Sequence, residues 1–299
     1  MKLTLVENFR ALFYMPFYML KERGGAEAEG LEVEWIDANT PGGGVEAVKR
    51  GAADLTWGGP MRIMKDHDSH PIGPDSLVGF CEVVGKDPFY LVGRKSLLPL
   101  SLDQLPAQRL SVVSEVPTPW LCLQTDLANI GVDVAAYLAN GDIVVTRTFE
   151  EQITALASGQ ADVIQLFEPY VSRLELETDM AILARAGDRG PTVYTVFITT
   201  HARHAEKAVE FAALTRAMAR TQQWMLSHPD SIYELGGRYF PDIHPEIVRR
   251  SIRRYIDEGV WSASPAVSRD GFETLSRCLH NGGFIRAPGQ FSLCISSFF

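Results

Sequence analysis

Two arginines stand just beyond predicted strands in the N-terminal region. Arg10, with Phe9 beside it, follows the strand-like stretch MKLTLVEN, and Arg62 follows the stretch DLTW. Guanidinium groups suit planar oxyanions because their donors form a fork. Ligands of open α/β sheets bind beyond the carboxyl ends of the strands. Both arginines are therefore candidate anion-binding residues, and Phe9 is a ligand-binding candidate beside Arg10. The alternative is a solvated surface position for each arginine and a core position for Phe9.

The stretch SEVPTPW (114–120) offers a second anion-binding feature. It follows a predicted strand, and Thr118 or Pro119 could open a helix, since proline is favoured in the first turn. Free N–H groups at such a start suit a carboxylate, sulfonate or nitro group. Glu115 and Trp120 flank this helix start and are ligand-binding candidates with Thr118. A simple helix cap is the alternative, and the two interpretations are compatible.

Further aromatic and glycine residues follow the same strands. Phe13 and Tyr14 lie after the first strand, and a core position and a cleft position are equally compatible with each of them. Trp57 ends DLTW and could equally be a buried core residue. Gly58 and Gly59 could form a simple turn, or they could expose backbone N–H groups to a ligand.

Two further ligand-binding candidates lie in the second half of the predicted sheet region, and neither is expected to be a catalytic residue. Glu168 could hydrogen-bond a ligand amine or pair with a cleft arginine, and Tyr194 lies near a predicted crossover. Cys122 stands two residues past Trp120, an offset that turns it away from Trp120 on a helix. With no nucleophile and base that can be paired, we expect no catalytic residue and no cofactor. An enzyme acting on a small aromatic acid is the alternative.

The stretch KDHDSHP (65–71) places two histidines among acidic residues and invites a metal-binding interpretation. Its spacing matches no known zinc ligand set. We therefore expect an exposed polar loop here and no metal site.

A repeated phrase indicates how these residues are positioned. GAADLTWGGP (51–60) and GQADVIQLFEP (159–169) both run from glycine through Ala-Asp into a short apolar strand that ends near proline. A capping box, Thr148 with Glu151, precedes the second copy, and Gly159 is suited to the left-handed end of the intervening helix. Short apolar strands are typical of parallel sheets covered on both faces. The repeat therefore predicts two α/β lobes.

The predicted fold class is α/β, with two lobes of the periplasmic-binding-protein type 2 arrangement. Each lobe is expected to hold a mostly parallel sheet flanked by helices, with a ligand cleft between the lobes. Three C-terminal helices are predicted to pack on the first lobe. The expected boundaries are 1–83 plus 196–299 for the first lobe, 84–195 for the second, and crossovers near 81–86 and 190–196.

Composition limits the classes of partner. The chain has 299 residues and a formal net charge of −9, which argues against nucleic acid or an anionic membrane surface. No apolar run reaches the ~20 residues of a membrane span, so membrane insertion is not expected. Four cysteines lack C-x-x-C spacing and are predicted to be free thiols. We expect a monomer.

The N-terminal apolar run ALFYMPFYML (11–20) does not match an export signal. Glu7 and Arg10 precede it, Pro16 interrupts it, and no A-x-A site follows. We therefore expect a cytoplasmic protein, or a periplasmic one if a leader is missing from this sequence.

Four features together resemble one family: FYMLKERGGAEAEGLEVEW (17–35), AVKRGAADLTWGGP (47–60), LASGQADVIQLFEPY (156–170) and the Trp-containing helix before Pro229. It unites binding proteins for sulfonates, taurine, nitrate and pyrimidine precursors with the pyrimidine synthase of thiamine biosynthesis. The resemblance implies a ligand clamped between two lobes and delivered to an ABC permease. The candidate residues add an expectation that the ligand is small, anionic and partly aromatic.

The sequence departs from parts of this family. The synthase branch looks to have a histidine eight residues after the Asp of the first phrase, and Arg62 stands at that position here. The cysteine-rich motif of the synthase is also absent. The first loop, NFRALFYM, lacks the Asn and His pattern of pyrimidine-binding members. The desulfinase relatives have a cysteine near the first strand, whereas no cysteine precedes Cys81 in this sequence. A solute-binding protein is therefore the main expectation, and a cytoplasmic ligand sensor is a further alternative.

Overall fold

The computed structural model describes residues 1–37, 42–139, 141 and 143–298. Within them the strands are β1 (Lys2–Val6), β2 (Glu32–Ile36), β3 (Leu55–Gly58), β4 (Leu77–Val84), β5 (Phe89–Arg94), β6 (Leu110–Val113), β7 (Val144–Arg147), β8 (Val163–Phe167), β9 (Met180–Arg185) and β10 (Thr195–Thr200). The α-helices are α1 (Met15–Glu22), α2 (Gly43–Lys49), α3 (Met61–Ser69), α4 (Thr118–Asn129), α5 (Val134–Ala139), α6 (Phe149–Ala157), α7 (Tyr170–Glu177), α8 (His201–Glu206), α9 (Ala208–Ser227), α10 (Pro229–Tyr239), α11 (Pro245–Asp257), α12 (Arg269–Asn281) and α13 (Phe291–Cys294).

The described strands form two five-stranded sheets that share one topology. The first sheet has the order β2-β1-β3-β10-β4, and the second has the order β7-β6-β8-β5-β9. In the first sheet β10 runs antiparallel to both neighbours, and β5 does so in the second. The other four strands of each sheet share one direction. The predicted α/β fold with two lobes and two mostly parallel sheets is confirmed.

The repeated phrase forms the same local structure twice. Gly51 and Gly159 follow α2 and α6 with φ angles of 70° and 73°, the left-handed conformation that glycine adopts without steric cost. Thr148 and Glu151 form the predicted capping box at the start of α6. The strands that follow, β3 and β8, are buried along their whole length. They lie in different sheets, as the repeat predicted.

The chain passes from the first sheet to the second between Val84 and Phe89, and it returns between Arg185 and Thr195. Asp87 on the first connection and Arg189 on the second form an ion pair, with 3.3 Å between Oδ2 and Nη1. This pair ties the two connections together. The residue boundaries proposed for the lobes stay predictions.

The C-terminal third contacts both lobes. α9 packs against α1 and β4 of the first lobe, whereas α11 contacts α7 and α12 contacts α4 of the second. The expectation that these helices pack on the first lobe is therefore incomplete, because two of them span the lobes. No helix of the described residues is long and apolar enough to cross a membrane.

One local prediction differs from the structure. KDHDSHP, expected as an exposed loop, begins inside α3, and only its last two residues lie beyond that helix. Its Asp66 is buried, accepts a hydrogen bond from the backbone N–H of Leu77 at 2.9 Å and pairs with Lys49, so part of this polar stretch faces the protein interior.

Candidate ligand-binding site

The loop after β1 is fixed to the end of β3 by Asn8. Its Nδ2 donates to the Trp57 carbonyl oxygen at 3.2 Å and to the Tyr14 hydroxyl at 3.3 Å. Its Oδ1 accepts a hydrogen bond from the backbone N–H of Phe9 at 2.9 Å. One side chain therefore holds together the two loops that the sequence placed at the ligand-binding edge of the first sheet.

Aromatic rings form a continuous cluster from the first lobe to the second. Phe13 lies 5.4 Å from Phe167 and 5.9 Å from Tyr194 between ring centroids, both in edge-to-face geometry. Phe89 lies 5.1 Å from Phe167 on the second sheet. Aromatic pairs at these separations stabilise packing beyond the apolar area that they bury. We call this set the interlobe aromatic cluster: Phe9, Phe13, Tyr14, Phe89, Phe149, Phe167, Tyr170 and Tyr194.

Arg62 brings a cation to one end of this cluster. It is the second residue of α3, directly beyond β3, and it is partly buried. Burial lowers the pKa of Arg62, and the nearby Tyr14 opposes that shift. Burial likewise raises the pKa of Tyr14, so its hydroxyl is neutral and can donate. Among the described residues no carboxylate pairs with Arg62.

Glycines leave room around this guanidinium. A Cβ at Gly42 would lie 2.8 Å from Arg62 Nη1, and one at Gly58 would lie 3.5 Å from Asn8 Nδ2. A Cβ at Gly59 would approach the Tyr194 carbonyl oxygen to 3.4 Å. The predicted candidates Gly58 and Gly59 therefore lie where two loops approach closely. The lack of a side chain at Gly42 leaves room for the Arg62 guanidinium.

Arg10 has different surroundings from Arg62. It is exposed, and its Cζ lies 5.6 Å from the ring centroid of Tyr239. Together with Ala11 it lines a cavity of about 640 Å³ between the lobes, bounded by the start of α7 and by the connection from α10 to α11. Phe167 and Tyr170 belong both to this cavity and to the interlobe aromatic cluster.

The predicted helix start in the second lobe is present at Thr118, where α4 begins. Thr118 is buried, and Pro117 precedes it without a side-chain cap. The Glu115 carboxylate accepts the backbone N–H of Phe149 at 3.0 Å and so caps α6. Trp120 packs against the second lobe's own core around Leu105. Glu115 therefore lies beside the aromatic cluster, and Trp120 belongs to another part of the lobe.

Glu168 is committed to internal contacts. It is 0% exposed and accepts hydrogen bonds from Ser172 N and Oγ at 2.9 Å each and from Ser251 Oγ at 3.0 Å. Arg254 of α11 completes the set as an ion pair. Burial raises the pKa of Glu168, and Arg254 opposes that shift. The arginine that pairs with it lies on α11, and the carboxylate anchors that helix to the second lobe.

Trp57 lies in the core beneath the loop. Its ring stacks on Phe17 with centroids 4.3 Å apart and planes 9° from parallel, and its side chain is 1% exposed. Of the aromatic candidates, Phe13, Tyr14 and Tyr194 are also buried, and Phe9 is half-buried. Trp57 therefore supports Tyr14 from below.

Several residues of the site escaped the sequence interpretation. Asn8 follows β1, Phe149 follows β7 by two residues, and Phe167 ends β8. The same strand-end rule that selected Arg10 would have selected them. Arg254 could not be found in this way, because it is distant in sequence and belongs to a helix.

Two lobes with one sheet each, joined by two connections around a cleft, define the periplasmic-binding-protein fold. A family described as NMT1/THI5 like matches residues 13–232. This chain belongs to that family, and the predicted resemblance is confirmed.

Known proteins with this architecture differ in what they do. YtlA of Bacillus subtilis (strain 168), which carries the name of a binding protein, is 25% identical over 291 residues, covering 94% of this chain and 84% of YtlA. The aliphatic sulphonate binding protein SsuA from Escherichia coli is 12% identical, with a TM-score of 0.76 over 96% of this chain and 94% of its own. The desulfurization enzyme DSZB is 14% identical, with a TM-score of 0.64 over 99% and 96%. The fold therefore accommodates both binding and catalysis.

Proposed function

We propose that this protein is the solute-binding component of an ABC-type importer and holds a small anionic ligand with a flat apolar part between its lobes. The observation that carries the proposal is Arg62, a partly buried guanidinium without a carboxylate partner among the described residues. A desolvated cation is costly unless an anion offsets its lost hydration. A ligand oxyanion would do so, with the Tyr14 hydroxyl as a second donor.

The apolar part of the ligand would rest on the interlobe aromatic cluster. The adjoining cavity of about 640 Å³ lies in the ~300–1,000 Å³ range of small-molecule sites. Because the cluster draws rings from both lobes, a ligand held against it contacts both. Binding would then favour the closed arrangement over the open one. Arg10 and the start of α4 at Thr118 are further proposed contacts for the ligand's charge.

The partner that fits this role is an ABC permease, which a monomer would meet outside the cytoplasm. YtlA and SsuA, both described as binding proteins, support binding rather than catalysis.

The test is calorimetry with three anions, benzenesulfonate, benzoate and nitrate, with the zwitterion taurine, and with neutral benzyl alcohol. We expect an aromatic anion to bind, and Arg62→Gln to weaken it by about 1.5–3 kcal/mol, tenfold or more. Arg10→Gln measures how much the second cation contributes to ligand affinity. Arg277→Gln is the control, because Arg277 is an exposed residue of α12. Equal affinity in the Arg62 and Arg277 variants, or preference for benzyl alcohol, would contradict the proposal. Mass spectrometry should recover the ligand unchanged.

A further inference from the structure

Three soft donor side chains line a second cavity, away from the interlobe cluster. This cavity of about 380 Å³ lies between α3 and the segment that leads into α13. Met64 and His67 of α3 and Cys294 of α13 all line it. Cys294 and Met64 are almost completely buried. None of these residues has a role in the proposed solute site, so the two sites are independent.

The imidazole of His67 has a fixed tautomer. Its Nε2 lies 2.7 Å from the carbonyl oxygen of Leu77, which can only accept, so Nε2 carries the hydrogen. The lone pair of Nδ1 therefore faces the Cys294 sulfur at 3.5 Å. The Cys294 thiol can therefore donate its hydrogen to Nδ1. A backbone carbonyl on the far nitrogen is the usual way in which a metal-binding histidine is oriented.

Met64 supplies the third donor. It lies three residues before His67 on α3, so both side chains are on one face of the helix. A Cβ at Gly289 would lie 3.2 Å from the Met64 sulfur. Gly289 immediately precedes Gln290, the residue that caps α13. The glycine thus leaves the thioether room beside the segment that carries Cys294.

We propose that Cys294, His67 and Met64 bind a soft monovalent cation, with Cu(I) as the ion that best fits the donors. Thiolate and thioether ligands select Cu(I), and imidazole suits it as well. With metal–sulfur and metal–nitrogen distances of about 2.3 and 2.0 Å, ligands at tetrahedral to trigonal angles lie roughly 3.5–3.8 Å apart. The observed 3.5 Å between Cys294 Sγ and His67 Nδ1 matches the lower end of that range.

Binding requires one proton to leave and no electron transfer. Cu(I) takes the place of the Cys294 proton between Sγ and Nδ1, and that proton passes to water. His67 keeps the hydrogen bond from Nε2 to the Leu77 carbonyl oxygen. The copper remains in its +1 state throughout.

Hard divalent ions do not fit the same place. Asp66 is occupied by Lys49 and the Leu77 N–H, and Asp68 is occupied by Arg286. Within the described ranges, no three His, Cys, Asp or Glu side chains come together as a metal-binding group. A zinc site built from those four residue types therefore lacks a third ligand among the described residues, whereas the Met64 thioether would complete a set of soft donors.

The test is anaerobic competition for Cu(I) between the reduced protein and the chromophoric chelator bicinchoninate. We expect Cys294→Ser to take up one equivalent fewer than the native sequence, with loss of the thiolate-to-copper ultraviolet absorption. Cys81→Ser, which removes a buried thiol elsewhere, should take up as much as the native sequence. His67→Gln can still donate to Leu77 but lacks Nδ1, and it should weaken Cu(I) binding by at least about tenfold.

Met64→Leu separates a loss of Cu(I) binding from a failure to fold. It keeps the Cys294–His67 hydrogen bond and nearly the same volume, so the metal-free thermal midpoint should stay unchanged while Cu(I) affinity falls. If the native protein takes up no Cu(I), or Cys294→Ser takes up as much as the native sequence, the contact is only a structural hydrogen bond. Unchanged affinity in Met64→Leu would likewise overturn the three-donor site. Excess Zn(II) should not displace the copper.

Discussion

Removing Arg254 should expose how strongly α11 is anchored to the second lobe. Arg254 is the cationic partner of Glu168, which is 0% exposed at the end of β8. Arg254→Met keeps most of the apolar stem and deletes the guanidinium. A buried charge stripped of its partner costs about 3–5 kcal/mol. Three neutral donors from Ser172 and Ser251 remain on the carboxylate, so we expect about 3 kcal/mol, the lower end of that range.

The loss should depend on pH. Burial raises the pKa of Glu168, and deleting Arg254 removes the charge that opposes this shift. An acid whose pKa is raised by folding stabilises the folded state below its unfolded pKa. That contribution is lost as the pH rises through the folded pKa. Arg254→Met should therefore be closer to native stability at pH 5 than at pH 8.

The assay is urea unfolding of Arg254→Met, Glu168→Gln and the double variant at both pH values. Arg254 also pairs with Glu175, which keeps Arg250 as a partner in every variant. The uncharged amide introduced by Glu168→Gln would still accept from the two serines, so the double variant should recover the part of the loss that comes from the buried Glu168 charge. Arg253→Met is the matched control, because Arg253 is exposed and its ion pair with Asp257 is exposed as well, and it should leave stability near native. The reasoning fails if the double variant is no more stable than Arg254→Met, or if the two arginine variants behave alike.

Two further predictions concern the left-handed glycines and the thiols. Gly51→Ala and Gly159→Ala should each cost about 1 kcal/mol, because their φ angles are 70° and 73° and no atom crowds the added Cβ. Gly73→Ala, equally uncrowded but without a left-handed φ, should be nearly neutral, and equal losses at all three positions would contradict this account. Thiol titration of the denatured, unreduced protein should find all four cysteines free, and a count of two or none would refute it.

Local patterns in the sequence predicted the elements and their edges. The Thr148–Glu151 capping box and the glycines after α2 and α6 act within a few residues, so their structures follow from the residues themselves. The repeated phrase predicted two sheets, because each copy contains a complete helix-to-strand unit. The strand-end rule selected Arg62 and the loop after β1, although their role in ligand binding stays a proposal.

Tertiary structure decided which candidates have partners. Glu168 and Arg62 both lie within a few residues of a strand end, yet Glu168 is bound by Arg254, 86 residues away, and Arg62 has no carboxylate partner among the described residues. His67 and Cys294 are 227 residues apart, and only the packing of α13 near α3 brings their donor atoms together. Hydrophobic periodicity and helix capping depend on contacts between residues that are close together in the sequence. Burial and the pairing of charges depend on which distant segments pack together, so the fold alone determined them.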